Sequence, residues 1–303
     1  MTDSIVRETI KNNKNAIVLL YNPLNQITTT GFFVSGHYII TTSDIATSWD
    51  DEINVQVVNY LYHGRIIGLD KEGNMAMLEL VESLRHFKTL KWGKSPNCHT
   101  GDLVLAIDFE SITFERLTST KTLHPGIPGE LMTINNSNCR NGTPVVDIKG
   151  AFVGMMYRGF IISEYFLRRP IKALGKVSND KRYSEFVEDG HYIKSFLGLK
   201  ARPFDLPDVL KESKERKITG FILLEVPEEY SEFLEVGDVI THMEDKEIGK
   251  YKFSPMTILW KILPGKEIRI RYRKIFQSYG LENQTTIKTK PYVEHLETDI
   301  FYF

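Results

Sequence analysis

Short apolar runs recur along the first half of the chain, and short polar turns separate them. The runs are rich in β-branched and aromatic side chains, a pattern that predicts strands. No helical stretch lies between them that could connect parallel strands, so the pattern favours a sandwich or a barrel. The predicted strands are AIVLLY at 16–21, GFFV at 31–34, YIITT at 38–42, INVQVV at 53–58, MAMLEL at 75–80, DLVLAI at 102–107, TPVVDI at 143–148 and AFVGMMY at 151–157.

The pattern changes beyond residue 165. FLRRPIKAL at 166–174 is the first helix-like segment, and the polar segment SNDKRYSEFVEDG at 178–190 is predicted to be a linker. Further on, TGFILLEV predicts a strand, and SPMTILWKIL predicts an amphipathic helix with Ser254 as its N-cap and Pro255 at its first position. The predicted organisation is a first domain at 1–177, the linker at 178–190, a second domain at 191–291 and a C-terminal tail at 292–303.

Composition narrows the class of protein. A chain of 303 residues with 42% hydrophobic and 25% charged residues can bury two ordinary domain cores. Its net charge of −1 argues against a nucleic-acid partner. Two cysteines are too few for a disulfide framework, and the histidines are too scattered for a metal site. We therefore expect no metal, no cofactor, no membrane span and an intracellular location, cytoplasmic or nuclear, with an organelle left open.

Several motifs in a fixed order resemble the HtrA family, in which a trypsin-like protease domain precedes a PDZ domain. The first-half motifs are GFFVSGHYIITTSDIA, GRIIGLDKEGNMAMLEL, LKWGKSPNCHTGDLVLAI and NGTPVVDIKGAFVG, and the second-half motifs are FLGL, GFILLEV, GDVI and LPG. The resemblance implies an all-β dominated fold with two six-stranded barrels, followed by an α+β PDZ domain. The resemblance covers nearly the whole chain.

The three positions at which the family carries its catalytic triad are altered. On the motifs, the histidine position holds Asp44, the carboxylate position Asn74 and the nucleophile position Asn141. Triad catalysis needs a hydroxyl nucleophile, an imidazole base and a carboxylate that orients the imidazole. At each of the three positions, the side chain present is not of the type that the catalytic role at that position requires. The sequence therefore predicts no enzymatic activity, that is, a pseudoprotease. Two amides and one carboxylate could instead form a hydrogen-bonded polar cluster.

Two other functions stay open at this point. One is an active serine-type protease with relocated catalytic residues, and the other is a chaperone that holds peptides without cutting them. A relocated thiol would need a lowered pKa or a base partner. The candidate groups for relocation are Ser43, Ser137, Cys139 and Thr143 as nucleophiles and His37 as a base.

The second domain is predicted to bind peptides. In PDZ domains a C-terminal peptide adds as a strand to a sheet edge, and a short loop holds its carboxylate. The resemblance places Ser195, Phe196, Leu197, Gly198 and Leu199 in that loop. We expect a protein partner or a hydrophobic C-terminal peptide as ligand, and the function of an adaptor, a regulator or a structural subunit. The chain's own last residues, which could act as a self-ligand or simply pack on an apolar surface, are Ile300, Phe301, Tyr302 and Phe303.

Overall fold

The structure is a computed structural model of the full chain. The chain divides into two compact units, one of residues 1–122 and 130–192 and the other of residues 123–129 and 193–303. The structure describes all residues except 1, 49–50, 72, 82–86, 125–126, 136–137, 175–186, 189–190, 193–194, 197–198, 206–218, 249–254, 260–261, 263–264, 275–281, 292–300 and 303.

The first unit begins with a closed six-stranded β-barrel. Its strands follow the ring order β5-β4-β1-β2-β3-β6, and β6 returns to pair with β5. Side chains alternate between the inside and the outside, and in β4 every second residue is buried, as expected for a strand with one face on a core. The strands are β1 (Ile17–Tyr21), β2 (Thr28–Ser35), β3 (Tyr38–Thr41), β4 (Glu52–Val57), β5 (Tyr60–Asp70) and β6 (Met75–Leu80).

A second closed six-stranded barrel completes the double-barrel fold. Its ring order is β11-β8-β9-β10-β13-β12, closed by pairing of β11 with β12, and the short β7 adds to β12 at the edge. The helix α2 (Glu164–Leu174) follows the last strand and covers the barrel end. The strands are β7 (Lys91–Trp92), β8 (Leu103–Ile107), β9 (Ile112–His124), β10 (Ile127–Ile134), β11 (Pro144–Asp147), β12 (Ala151–Tyr157) and β13 (Phe160–Ser163).

Aromatic side chains join the two barrels. Phe32 on β2 and Phe152 on β12 are fully or almost fully buried, and their ring centroids lie 4.8 Å apart. Trp92 stacks edge-on against Phe152 at 5.6 Å. Burial of one such side chain stabilises a fold by roughly 1.5–3 kcal/mol. This contact packs the first barrel against the second, and the cleft lies between them.

Additional elements pack on the barrels. An N-terminal helix, α1 (Thr2–Asn13), precedes β1 and was not predicted from the sequence. Two short strands, β14 (Val187–Glu188) and β15 (His191–Tyr192), form a hairpin whose second strand pairs with β5. Residues 187–188 of the predicted linker therefore pair with β15, and His191, just after the linker, pairs with Leu69 of the first barrel. No helix among the described residues is long and apolar enough to span a membrane.

The second unit is built on a mixed arrangement of strands and one short helix. Its main sheet has the order β22-β21-β19-β18-β17-β24, and β20 pairs with β19. In β21, Ile268, Ile270 and Tyr272 point inward while their neighbours are more exposed. The elements are β16 (Ser195–Phe196), β17 (Lys200–Asp205), β18 (Thr219–Glu225), β19 (Asp238–Met243), β20 (Lys246–Glu247), α3 (Pro255–Leu259), β21 (Glu267–Lys274), β22 (Glu282–Lys288), β23 (Lys290–Pro291) and β24 (Phe301–Tyr302).

The predicted strand-dominated double barrel is confirmed. All eight predicted strands of the first half lie within or overlap barrel strands, and FLRRPIKAL lies in α2. Short or alternating apolar runs predict these strands because every second side chain of a barrel strand points towards the core. The assignment of the second unit as a PDZ domain and the predicted domain boundaries remain predictions.

Candidate functional site

Asp44 lies at the mouth of the cleft, in a 3₁₀ turn of residues Ser43–Ile45 that follows β3. The hydroxyl of Thr42 donates a hydrogen bond to Asp44 Oδ1. The side-chain amide of Asn25 donates to the Asp44 and Ile45 carbonyl oxygens, at 3.4 and 3.0 Å. Hydrogen bonds thus hold both the backbone of the turn and the Asp44 side chain. One carboxylate oxygen of Asp44 faces the second barrel.

Asn141 lies in the loop between β10 and β11, and the first barrel holds its backbone. Thr30 N donates to the Asn141 carbonyl oxygen at 3.0 Å, and the Thr29 hydroxyl donates to the same oxygen. The next residue, Gly142, has φ +82°, and a Cβ there would lie 1.9 Å from the Thr30 carbonyl oxygen. Only glycine fits this position, because both the conformation and the space exclude a side chain.

The Asn141 amide links the two barrels. Its Nδ2 donates to Asp44 Oδ2 at 2.7 Å, and its Oδ1 accepts a hydrogen bond from the Arg158 backbone N–H at 2.9 Å. Arg158 begins the β12–β13 turn with φ +49°, and its guanidinium lies 5.2 Å from the centroid of the Tyr157 ring. Burial raises the pKa of Tyr157, while the Arg158 cation opposes this and the Asp44 carboxylate adds to it. The Asn141 amide therefore joins the two barrels through hydrogen bonds. It carries no hydroxyl that a base could activate for nucleophilic attack.

Asn74 is placed by the turn that joins β5 to β6. It is 8% exposed, has φ +55°, and its backbone N–H donates to the Lys71 carbonyl oxygen at 3.1 Å. Asparagine is one of the few residue types that adopt this left-handed conformation at low cost. Of the three predicted positions, Asp44 and Asn141 are joined directly by a hydrogen bond. The predicted polar cluster therefore contains at least this pair.

A second network beneath the Asn141 loop was missed by the sequence analysis. The Asp108 carboxylate, 4% exposed, accepts hydrogen bonds from the Thr30 hydroxyl and from Phe109 N. Arg140 approaches the same oxygen at 3.4 Å and pairs with Glu110. Asp108 gives no sequence signal by itself, because its side-chain partners Arg140 and Thr30 lie 32 and 78 positions away.

The side chains considered as a relocated nucleophile or base differ in how far they are exposed to solvent. Thr143 is fully buried, and burial raises the pKa of the Cys139 thiol, which packs on the core of the second barrel. Ser43 is partly exposed and adjoins Asp44. His37 lies in the β2–β3 turn, with its Nε2 3.3 Å from Glu79 Oε1. Ser137 lies outside the described residues. Among these, Ser43 combines access with a neighbouring carboxylate.

The predicted peptide-binding loop is described in part. Ser195 and Phe196 form β16, which pairs with Pro291 and Lys290 of β23, while Leu199 is fully buried before β17. Leu197 and Gly198 lie outside the described residues. The tail returns to this region: β24 pairs antiparallel with β17, with Lys200 opposite Tyr302 and Ala201 opposite Phe301. Ile300 and Phe303 lie outside the described residues.

No group of three or more His, Cys, Asp or Glu side chains in the described part of the chain could hold a metal ion. Both cysteines, Cys98 and Cys139, are free thiols. Burial, together with the smaller effects of the charges of Asp102, Asp147 and Glu164, raises the pKa of Cys98 to about 11. Cys98 is therefore a neutral thiol near neutral pH and packs beside the core of the second barrel.

The two closed six-stranded barrels form a trypsin-like double-barrel fold. Solved structures that match it include HtrA-type proteases, which confirms the predicted resemblance at the level of the fold. AlgW with a tripeptide matches with a TM-score of 0.72 and 19% identity, covering 96% of this chain and 98% of that chain. AlgW with a decapeptide matches with a TM-score of 0.68 and 17% identity, covering 96% and 99%.

The serine endoprotease from Yersinia pestis matches with a TM-score of 0.60 and 17% identity, covering 95% of this chain and 98% of that chain. No family model matches the chain, and no curated protein sequence matches it. The likeness therefore extends along nearly the whole chain in structure, at a level of identity that establishes the fold.

The prediction that the chain is not an enzyme is contradicted by these matches, because the structures that share its fold are proteases. The sequence argument rested on the three altered triad positions and kept relocated catalytic residues only as an alternative. The structure shows that these three positions lie in a trypsin-like double barrel and that Ser43 is partly exposed beside Asp44. Substitution at three positions does not establish an absence of activity in such a frame.

Proposed function

We propose that the chain binds hydrophobic C-terminal segments of proteins through a PDZ-type second unit, and that it acts in this way as an adaptor, a regulator or a subunit of a larger assembly. The observation that carries the proposal is the pairing of β24 with β17. The strand β17 directly follows the predicted carboxylate loop, and the segment that pairs with it is the chain's own C-terminus.

The sheet order supports this assignment. Without β24, β17 would be the last strand of the main sheet, with a row of unpaired backbone N–H and C=O groups on its outer side. An extended peptide can pair with such an edge through its main chain. Two backbone positions of the tail pair there in antiparallel register, which is the orientation in which a C-terminal peptide would direct its carboxylate towards the loop at 195–199.

The comparisons add support from a related fold. Two of the matched structures contain AlgW with a bound tripeptide and with a bound decapeptide. We infer that the edge of β17 takes peptides here as well, and that the chain's own tail is a self-ligand that an incoming peptide must displace. The tail would then set the affinity for other ligands, because only the fraction of molecules with a free edge can bind.

The test is the binding of a labelled peptide ETDIFYF, which copies residues 297–303. Its affinity is measured by fluorescence anisotropy for the full chain and for a chain that ends at Asp299. A tethered ligand acts at an effective concentration of about 1 mM, so a tail with an intrinsic Kd near 100 µM would weaken peptide binding by roughly 10-fold. We expect the shortened chain to bind about 10-fold more tightly.

The matched control is the same peptide with a C-terminal amide in place of the carboxylate, which should bind more weakly to both chains. Absence of saturable binding to either chain would refute peptide binding by this unit. Equal affinity for the two chains would refute the tail as self-ligand and leave peptide binding intact. The two ideas can therefore fail separately.

Hydrolysis of peptide bonds is a second candidate function, favoured by the proteases among the matched structures. The hydroxyl of Ser43 is the accessible candidate for attack next to the Asp44 carboxylate. If the cleft cuts an unfolded protein substrate, Ser43→Ala should reduce turnover by about 100-fold or more, while Ser35→Ala, at a partly buried serine on β2, should not. Turnover that is unchanged in Ser43→Ala would exclude this residue.

A gain-of-function variant tests the frame itself. The triple substitution Asp44→His, Asn74→Asp and Asn141→Ser restores the residue types of the family pattern. If the backbone of the cleft is still suited to acyl transfer, turnover should rise by roughly 10²- to 10⁴-fold, the contribution of a positioned base. No change would show that the Arg140 network or the β12–β13 turn also opposes the reaction.

A further inference from the structure

We propose that the first unit carries a second binding site, for a small anion bearing two or more phosphate groups, in a cavity formed where α1 meets the barrels. The cavity has a volume of about 560 Å³, which is within the usual range for small-molecule sites. None of the residues that line it belongs to the Asp44–Asn141 cleft. The lining residues come from α1, from the segment before β7, with Lys91 at the start of β7, and from the β11–β12 turn.

The cavity walls are tied together by hydrogen bonds. The Thr9 hydroxyl on α1 donates to the Ile148 carbonyl oxygen in the β11–β12 turn at 2.9 Å. The Asn13 amide donates to the Thr9 carbonyl oxygen at 2.9 Å. Gly150 packs against the same amide, since a Cβ at this position would lie 2.6 Å from Asn13 Nδ2. The helix and the turn are therefore held in a defined arrangement around the cavity.

The charge of the lining is positive and uncompensated. Lys88, Lys91 and Lys149 line the cavity, together with one acidic residue, Glu8. Three positive charges and one negative charge leave a net charge of +2. In the part of the chain that the structure describes, none of these lysines forms an ion pair. Like charges that share a cavity repel one another, and a bound anion would relieve this repulsion.

The residue types indicate phosphate as the charged group. Lysine is a usual ligand of phosphate, which it binds as a point charge, and three lysines line the cavity. Asn12 and Thr9 add polar atoms that suit hydroxyl groups or further phosphate oxygens. A compact diphosphate or polyphosphate group fits both the charge and the volume better than an extended polymer.

The experiment is isothermal titration of the full chain with inorganic pyrophosphate at low ionic strength, with citrate as a carboxylate probe of comparable charge. We expect saturable binding of one pyrophosphate per chain, and at least about fivefold weaker binding of citrate. Lys91→Gln and Lys149→Gln should each weaken pyrophosphate binding about fivefold, because each removes one charge-assisted contact. Glu8→Gln should strengthen binding about twofold, since it removes the only acidic lining residue.

Lys94→Gln is the matched control, because Lys94 is an exposed lysine close to Lys91 that does not line the cavity. The affinity of the Lys94→Gln variant for pyrophosphate should stay within about twofold of that of the unaltered chain. Equal weakening by Lys94→Gln and Lys91→Gln would show diffuse surface attraction and overturn the proposal, as would the absence of saturable binding. Tighter binding of citrate than of pyrophosphate would overturn the assignment to phosphate.

Discussion

The cleft of the first unit and the β17 edge of the second unit are occupied by the chain itself in different ways. In the cleft, side chains from distant positions meet, and the Asn141 amide bridges Asp44 and the Arg158 backbone. At the β17 edge, the main chain of β24 pairs with the main chain of β17. A contact made by side chains depends on residue identity at each position, whereas a contact made by backbone tolerates most substitutions except proline. The two regions should therefore respond very differently to mutation.

The largest effect is expected at Gly142, beside Asn141. Gly142→Ala should lower the free energy of unfolding of the first unit by about 3–5 kcal/mol, because the new Cβ would meet the Thr30 carbonyl oxygen in a left-handed conformation. The matched control is Gly101→Ala, where φ is +94° but no atom lies within 4 Å. It should cost only about 1 kcal/mol. Chemical denaturation followed by tryptophan fluorescence measures both, and similar costs would contradict the tight fit of the Asn141 loop.

The next effect concerns the buried Asp108 network under the same loop. Asp108→Ala should cost about 2–4 kcal/mol of unfolding free energy, because Thr30 and Phe109 N lose their acceptor in a buried setting. Glu110→Ala removes the exposed partner of Arg140 and should cost less than about 1 kcal/mol. If the two substitutions have the same effect in denaturation experiments, the side-chain network does not hold the loop.

An acid-dependent effect of intermediate size is expected in the loop after the Asp44 turn. Burial alone would raise the pKa of Asp51, but hydrogen bonds from Thr47 and Ser48 outweigh it and lower the pKa to about 2 from 3.8. Because the folded pKa lies below the unfolded one, this stabilisation is complete above about pH 4 and is lost as the pH falls towards 2. We expect a loss of about 1–2 kcal/mol between pH 5 and pH 2.

The variant Asp51→Asn should remove that part of the pH dependence and should be less stable than the unaltered chain at pH 7. Glu52→Gln, at the exposed neighbouring residue, should leave the dependence in place. Unfolding free energies measured at several pH values decide between these outcomes. An unchanged acid dependence in Asp51→Asn would show that other carboxyl groups cause it.

The smallest effect is expected at the β17 edge. Replacing Phe301 and Tyr302 together by valine should change the hydrogen-exchange rates of the Lys200 and Ala201 amides by less than about threefold, because the backbone pairing is kept. Replacing both by proline should increase the exchange rate of the Lys200 or Ala201 amide that the pairing protects by about tenfold. Proline has no backbone N–H and cannot donate a hydrogen bond to β17, so the pairing is weakened. Equal exchange in the two variants would show that the backbone pairing does not protect this edge.

Much of the fold was predictable from local sequence patterns. The strands of both barrels follow the apolar runs, since alternation and β-branched residues directly report a strand with one buried face. The helix α1 was missed, because its apolar positions are few and most of its side chains are exposed. The segment at 187–192 was assigned largely to a linker, because a two-residue strand that pairs with β5 leaves almost no periodic signal.

The candidate site was predictable in position and only partly in contacts. The motifs placed Asp44, Asn74 and Asn141, and the structure joins Asp44 to Asn141. The role of the Arg158 backbone and of Asp108 was not foreseen, because these contacts join residues 17 to 78 positions apart. The inference from three altered residues to an absence of activity was wrong, because the matched structures with the same fold are proteases. The predicted intracellular location stays a prediction.

The order of apolar and polar residues was enough to specify most strands and turns of the double barrel, because these depend on neighbours within a few positions. It could not specify which distant groups meet. The bridge through Asn141, the shared acceptor Asp108, the lysine-lined cavity beside α1 and the pairing of the C-terminus with β17 all required the folded chain. Hydrogen bonds and charge interactions act over a few ångströms in space, and folding alone determines which residues come within that distance.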